Sequence, residues 1–257
     1  MSKITILMAL HNKDDALGNV LFSISRQKTN HDYSFCFLDD MSKNNPLPLI
    51  HSFFDKKDVA YKRRPTGGFQ FIPRLMAQMV PEDAEYVVYQ SSDVVWYDPS
   101  LMHKMVDALE KNEKSIVIPD LDNFEINPGI YKDPENFYKN ILIAKGNLDG
   151  WGDVKSPRYL YLCAMRKDDF LNMSDVRNNE SFACDIILRD RIDSDNYEFI
   201  LIPKPCAIHQ RHENIVYQCT SADQCSLSCV QKEWAAKKVN FPFSMGTYNY
   251  HRRKYIK

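Results

Sequence analysis

In the stretch Tyr86-Val87-Val88-Tyr89-Gln90-Ser91-Ser92-Asp93-Val94-Val95-Trp96-Tyr97-Asp98-Pro99, a β-branched and aromatic run gives way abruptly to polar residues. Tyr86 to Tyr89 have the composition of a short strand inside an α/β sheet, with polarity returning at Gln90, Ser91, Ser92 and Asp93. Open α/β sheets bind ligands outside the carboxyl ends of their strands, so Asp93 is placed to face a crevice. The alternative is that it caps a turn, for which Ser and Asp are also suited.

On either side of this stretch the same alternation recurs. Toward the N-terminus, Lys3 to Leu10 reads as a buried first strand that ends in His11-Asn12-Lys13. Asp14 then opens a helix in which Leu17, Val20, Leu21 and Ile24 share a face. A second strand, Tyr33 to Leu38, runs into Asp39-Asp40-Met41-Ser42, so two acids again stand at a strand's end. An apolar stretch from Leu47 to Phe54, a short strand at Val59 to Tyr61 and the turn Pro65-Thr66-Gly67-Gly68 lead to another helix. Toward the C-terminus, Pro99 suits the first turn of a helix with an apolar stripe at Leu101, Met102, Met105, Val106 and Leu109, and a strand follows at Ser115 to Ile118. Strands alternating with helices of this length imply an α/β fold with a largely parallel sheet flanked by helices.

The second half is less regular. Asp120 to Pro134 and Gly146 to Pro157 are rich in Asp, Asn, Gly and Pro and read as long loops. Arg158 to Met165 reads as a strand and Ser181 to Ile192 as a helix. Phe199 to Ile202 and Ala207 to Ile208 read as short strands, the second ending at His209, and Glu233 to Val239 as a last helix. No repeat or linker divides the chain, which is expected to be one domain over 1–257, with halves at 1–112 and 113–257.

The 257 residues, 30.0 kDa, can bury a substantial core, and 44% hydrophobic with 26% charged residues describes an ordinary globular protein. A net charge of -1 argues against a general nucleic-acid binder. No run approaches the roughly 20 apolar residues of a membrane span, and the expected location is cytoplasmic. Seven cysteines, an odd number, fit reduced thiols. Cys206, Cys219, Cys225 and Cys229 lack the C-x-x-C pair of the usual zinc pattern.

The order of these features resembles the inverting glycosyltransferases of family 2, which have the GT-A fold. In that family the second strand ends in a D-D-x-S-like motif and the fourth in D-x-D; here they stand as Asp39-Asp40-Met41-Ser42 and Ser91-Ser92-Asp93. The resemblance covers roughly residues 3–212, rests on the order and spacing of short motifs, and implies a nucleotide-sugar-binding half at 1–112 and an acceptor-binding half, with the aromatic and basic tail, at 113–257. It implies that Asp39 or Asp40 holds the base or ribose of a nucleoside-diphosphate sugar, as a carboxylate accepting N–H or ribose hydroxyl bonds can do. The alternative for this pair is turn capping. Lys62, Arg63 and Arg64 could neutralise the diphosphate, or be a solvated basic face.

The D-x-D motif supplies carboxylates to Mn²⁺ or Mg²⁺, but Ser91 replaces its first acid here. Asp93 remains as the implied metal ligand, with Ser92 beside it in the donor site. Cys184-Asp185-Ile186-Ile187-Leu188-Arg189-Asp190-Arg191 fits the family's E-D-x-D-L-x-x-R helix at Asp185, Leu188 and Arg191, which implies Asp185 as the catalytic base; Glu180 is the alternative. His209, preferred to His212, falls where many GT-A enzymes have a third metal ligand. Trp151 and Asp153 would meet the acceptor by stacking and hydrogen bonding, unless Trp151 anchors a loop.

The aromatic and basic tail from Lys232 to Lys257 suits an anionic membrane surface carrying a lipid-linked acceptor, a partner, or a segment folded back over the site. The expected function is inverting transfer of a monosaccharide from a UDP or dTDP sugar to a hydroxyl of a glycan or glycolipid. Its rivals are a non-catalytic nucleotide- or glycan-binding module, favoured by Ser91, and a nucleotidyltransferase, which lacks here its Gly-rich phosphate loop.

Overall fold

The computed structural model describes residues 2–12, 14–40, 42–64, 72–127, 129–144, 161–174 and 197–211. Strand β1 (Lys3–Leu10) pairs in parallel with β2 (Asp32–Asp39) and with β4 (Tyr86–Ser91), and β2 pairs in parallel with β3 (Val59–Arg63). This half is the parallel sheet expected from its near-continuous apolar runs, which need cover on both faces. Ile4, Ile6, Met8 and Leu10 join one buried cluster and Leu7 the other, as strand alternation requires. Helices α1 (Asp14–Ser25) and α4 (Leu101–Lys111) pack on the first side; α3 (Ile72–Ala77) and α6 (Lys167–Met173) pack on the second. The apolar stripes expected in α1 and α4 are all buried. Short α2 (Leu47–His51) adds Ile50 to the first cluster.

Beyond β4 the strand directions are mixed. β7 (Leu162–Arg166) runs antiparallel to β4 and to β6 (Ser115–Glu125), β6 pairs in parallel with β8 (Glu198–Arg211), and β5 (Val94–Trp96) runs antiparallel to β8. The order across the sheet is β3-β2-β1-β4-β7-β6-β8-β5. β5 is therefore four places from β4, although only Ser92 and Asp93 separate them in the chain. On a flat sheet four spacings come to about 19 Å, whereas the three Cα steps from Ser91 to Val94 reach about 11 Å at most. The second half of the sheet must therefore curl until its last strand returns beside the fourth.

Several elements depart from the sequence reading. β6 continues through Asp120 to Glu125, where a loop is expected, and β8 joins two expected short strands into one. Each carries a proline at the irregular point, and the β6–β8 register shifts there, between Pro119 and Leu121. Proline removes a ladder donor and reads locally as a break, but a bulge lets pairing resume beyond it. β5, α6 and α5 (Phe137–Ala144) have no expected counterpart; α4 begins at Leu101, because Asp98 Oδ1 accepts bonds from both the amide and the hydroxyl of Ser100 at 2.8 Å and holds a turn ahead of it. The turn at Pro65 to Gly68, the loop Gly146 to Pro157, the helices at Ser181 to Ile192 and Glu233 to Val239, and the C-terminal tail lie outside the described residues. Among the described residues no helix is long and apolar enough to cross a membrane.

Candidate active site at the carboxyl edge of the sheet

Strand register places the acids in one row. Leu10 pairs with Asp39, Asp39 with Arg63, and Ala9 with Ser91. The residues that follow, His11, Asp40, Arg64 and Asp93, consequently leave the sheet along one rim. Asp40 and Asp93 follow strands on either side of β1, two spacings or roughly 10 Å apart at the sheet edge.

The two adjacent acids of β2 have different surroundings. Asp39 is fully buried; its Oδ1 accepts the Ser42 amide at 2.8 Å and its Oδ2 the Tyr61 hydroxyl at 2.7 Å, with Arg63 Nε at 3.6 Å. Burial, and then the bond to Asp39, holds the Tyr61 phenol well above its ordinary value, so it remains a donor. Asp40 is equally buried, yet among the described residues neither of its carboxylate oxygens has a hydrogen-bond partner; Arg64 Nη1 lies 3.6 Å from Oδ1. Its backbone is tied down: the amide donates to Leu10 O at 2.8 Å, and the carbonyl is 2.6 Å from His11 Nδ1. Leaving buried acceptors unpaired costs about 1–3 kcal/mol, more for a charged group, and such an atom calls for a donor.

The basic run expected to meet a diphosphate is divided. Lys62 is exposed, Arg63 also donates to Ser42 O at 2.6 Å, and buried Arg64 faces Asp40. Asn12, in the left-handed region at φ 49°, ties the loop after β1 to the loop after β2: its amide donates to Ser42 Oγ at 3.1 Å and its Oδ1 accepts the Lys43 amide at 2.7 Å.

Asp93 occupies the link between β4 and β5, with Ser92 buried beside it. Ser91 Oγ donates to Asp93 Oδ1 at 2.6 Å, so the residue that replaces the first acid of D-x-D is bonded to the one that remains. The Asp93 carbonyl accepts the Gln210 amide at 2.8 Å, and Val94 pairs with His209, which brings the backbone of His209 to this rim. A carboxylate oxygen is a suitable ligand for Mn²⁺ or Mg²⁺. Among the described residues, no three-ligand group of His, Cys, Asp or Glu includes Asp93.

The rim is held from behind by polar groups that the sequence reading did not single out. Asn19 Nδ2 donates to Gln210 Oε1 at 2.9 Å, and Gln210 Nε2 donates to Ala16 O at 3.2 Å. Ser23 Oγ accepts the Trp96 amide at 2.9 Å, and Gln90 bridges Trp96 Nε1 and Val94 O. Asn19 and Ser23 lie on the buried face of α1, and polar residues at those helical positions were the available signal. A cleft of about 380 Å³ lined by Tyr97, Asp98, Lys104, Tyr138 and Cys206 lies beyond the far end of β5, and none of the rim carboxylates lines it. Asp185, Glu180, Trp151, Asp153, His212, Cys219, Cys225 and Cys229 lie outside the described residues, as does the side chain of His209.

A curled α/β sheet with helices on both sides and acids along its carboxyl rim defines a protein of GT-A-like fold. The chain belongs to glycosyl transferase family 2, whose profile matches residues 5–172. No curated protein sequence matches it. Among solved structures it is similar to S. aureus TarS residues 1–349, with a TM-score of 0.58 and 10% identity over 81% of this chain and 60% of that one. TarS 1–349 in complex with UDP-GlcNAc gives 0.59 and 10% over 86% and 62%, and longer TarS gives 0.59 and 11% over 81% and 37%. This chain therefore spans less than two thirds of the TarS chains, and at such identity the likeness is one of fold.

Proposed function

We propose that the protein transfers a monosaccharide from a nucleoside-diphosphate sugar of UDP or dTDP type to a hydroxyl of a glycan or glycolipid, with inversion. The observation that carries this reading is Asp40: two buried carboxylate oxygens that find no hydrogen-bond donor among the described residues, with Arg64 3.6 Å away, on the rim it shares with Asp93. Family membership supports the reaction class, and the UDP-GlcNAc found in the TarS complex supports a UDP-type donor.

In this reading Asp40 accepts bonds from the base N–H or ribose hydroxyls, Asp39 holds the strand end in shape, and the diphosphate extends along the rim toward Asp93. Asp93 would hold Mn²⁺ or Mg²⁺, which when bound neutralises charge on the diphosphate. Asp185 takes the acceptor hydroxyl's proton as its oxygen attacks the sugar C1, the bond from C1 to the phosphate oxygen breaks, and the nucleoside diphosphate leaves. His209 is assigned beside Asp93, and Trp151 and Asp153 to the acceptor.

Titration with UDP and dTDP, with and without Mn²⁺, tests the donor site. Asp40→Asn should weaken binding by about tenfold or more, since one lost charged hydrogen bond is worth roughly 1.5–3 kcal/mol. Unchanged affinity would remove Asp40 from the site. Asp185→Asn should keep donor affinity and abolish transfer. One observation favours a second reading, a non-catalytic binding module: Ser91 occupies Oδ1 of Asp93 and weakens it as a metal ligand. That reading requires nucleotide binding without donor hydrolysis or transfer, unaffected by Asp93→Asn.

A further inference from the structure

We propose that His31, His103 and Asp107 form a second metal site, for a borderline transition ion such as Zn²⁺, at the end of the sheet opposite the donor rim. His31 immediately precedes β2, while His103 and Asp107 stand one turn apart on the same face of α4. His31 Nε2 and His103 Nδ1 are 3.4 Å apart, and one ligand atom from each of the three residues falls within 4.8 Å of the others; the 3.6 Å contact of Asp107 Oδ2 is with the other ring nitrogen of His103, Nε2. Tetrahedral zinc with bonds of about 2.0–2.1 Å to nitrogen sets its ligands roughly 3.3–3.4 Å apart. The two imidazoles already have that spacing. The site faces solvent at His103 and is partly sheltered at His31 and Asp107, leaving room for water as a fourth ligand.

The surroundings are compatible with this assignment. The Ser2 amide approaches His31 Nδ1 at 3.4 Å, a long contact that would be given up when metal binding at Nε2 moves the ring's proton to Nδ1. Glu110, which continues the stripe of His103 and Asp107, accepts the Ser2 hydroxyl at 3.3 Å. An ion here would clip the segment before β2 to a helix 72 residues further along the chain. The site is independent of the donor site in place and in chemistry. β1 has 8 residues, so its two ends are about 25 Å apart. Two imidazoles and a carboxylate select Zn²⁺, Co²⁺ or Ni²⁺, whereas oxygen ligands alone suit Mg²⁺ or Mn²⁺.

The test uses the full, tag-free chain, stripped with a chelator and titrated with Co²⁺ and then Zn²⁺, reading visible absorption and thermal midpoint. Wild type and Asp93→Asn should both develop tetrahedral Co²⁺ absorption and a Zn²⁺-dependent rise in midpoint that Mg²⁺ does not reproduce. His103→Ala and His31→Ala should weaken Zn²⁺ binding by about tenfold or more, with midpoints in chelator close to wild type. Absence of a Co²⁺ spectrum in wild type, or His103→Ala binding as tightly as wild type, overturns the proposal. The second outcome would place the ion elsewhere on the chain, and loss in Asp93→Asn alone would place it at the donor rim.

Discussion

Asp39 and Asp40 are chemically identical neighbours, and nothing local to their sequence assigns them different tasks. Successive strand residues point to opposite sides, and parallel pairing with β3 brings Tyr61 and Arg63 to Asp39 while Arg64 turns to Asp40. Asp39 is thereby committed to the protein, and Asp40 is left with acceptors to offer. Tyr61→Phe should consequently lower stability by about 1–2 kcal/mol, the worth of a hydrogen bond from a half-buried phenol to a buried carboxylate, as measured by urea denaturation. It should leave UDP affinity nearly unchanged, the reverse of the expectation for Asp40→Asn. Equal effects of the two substitutions on binding would show that the pair acts as one unit.

Helix α1 shows how an element is placed by what must dock on it. Gly18 lies inside the helix, where glycine ordinarily costs about 1 kcal/mol relative to alanine. A Cβ at this position would come within 2.1 Å of Tyr131 Cε1, and the next residue, Asn19, accepts the Tyr131 amide at 3.2 Å. The glycine thus makes room for a segment more than a hundred positions away that the same helix then holds. Gly18→Ala should destabilise the protein by about 1–3 kcal/mol through overpacking. In a Tyr131→Ala background the same change should be neutral or stabilising, because only the helix propensity remains. Thermal unfolding of the four combinations checks this; an equal loss in both backgrounds would point to some cause other than the ring.

For the whole molecule, the two sides of the sheet are separate apolar layers, and the second layer holds Cys36 and Cys163 as protonated thiols. Burial pushes both up to about 12. Because the folded values are raised, their contribution is fully present below the ordinary thiol pKa and is lost as the unfolded chain ionises. Stability should therefore fall from about pH 9 toward pH 12. Denaturation midpoints across that range measure the slope, which Cys163→Ala should reduce. Both thiols should also resist modification at pH 8 in the folded state, as buried structural cysteines do.

The amino-acid sequence by itself determined the alternation of strands and helices through α4 apart from β5, the apolar stripes of α1 and α4, and the positions of Asp39, Asp40 and Asp93 at or just beyond strand ends. These follow from periodicity and composition over a few residues, which a linear reading contains. Only the tertiary structure decided that β5 crosses to the far edge of a curled sheet, that β6 and β8 run on past their prolines, and that Asp40 rather than Asp39 keeps oxygens without a hydrogen-bond partner among the described residues. Each of these depends on pairing between segments distant along the chain, and the energies of such contacts leave no local periodic mark.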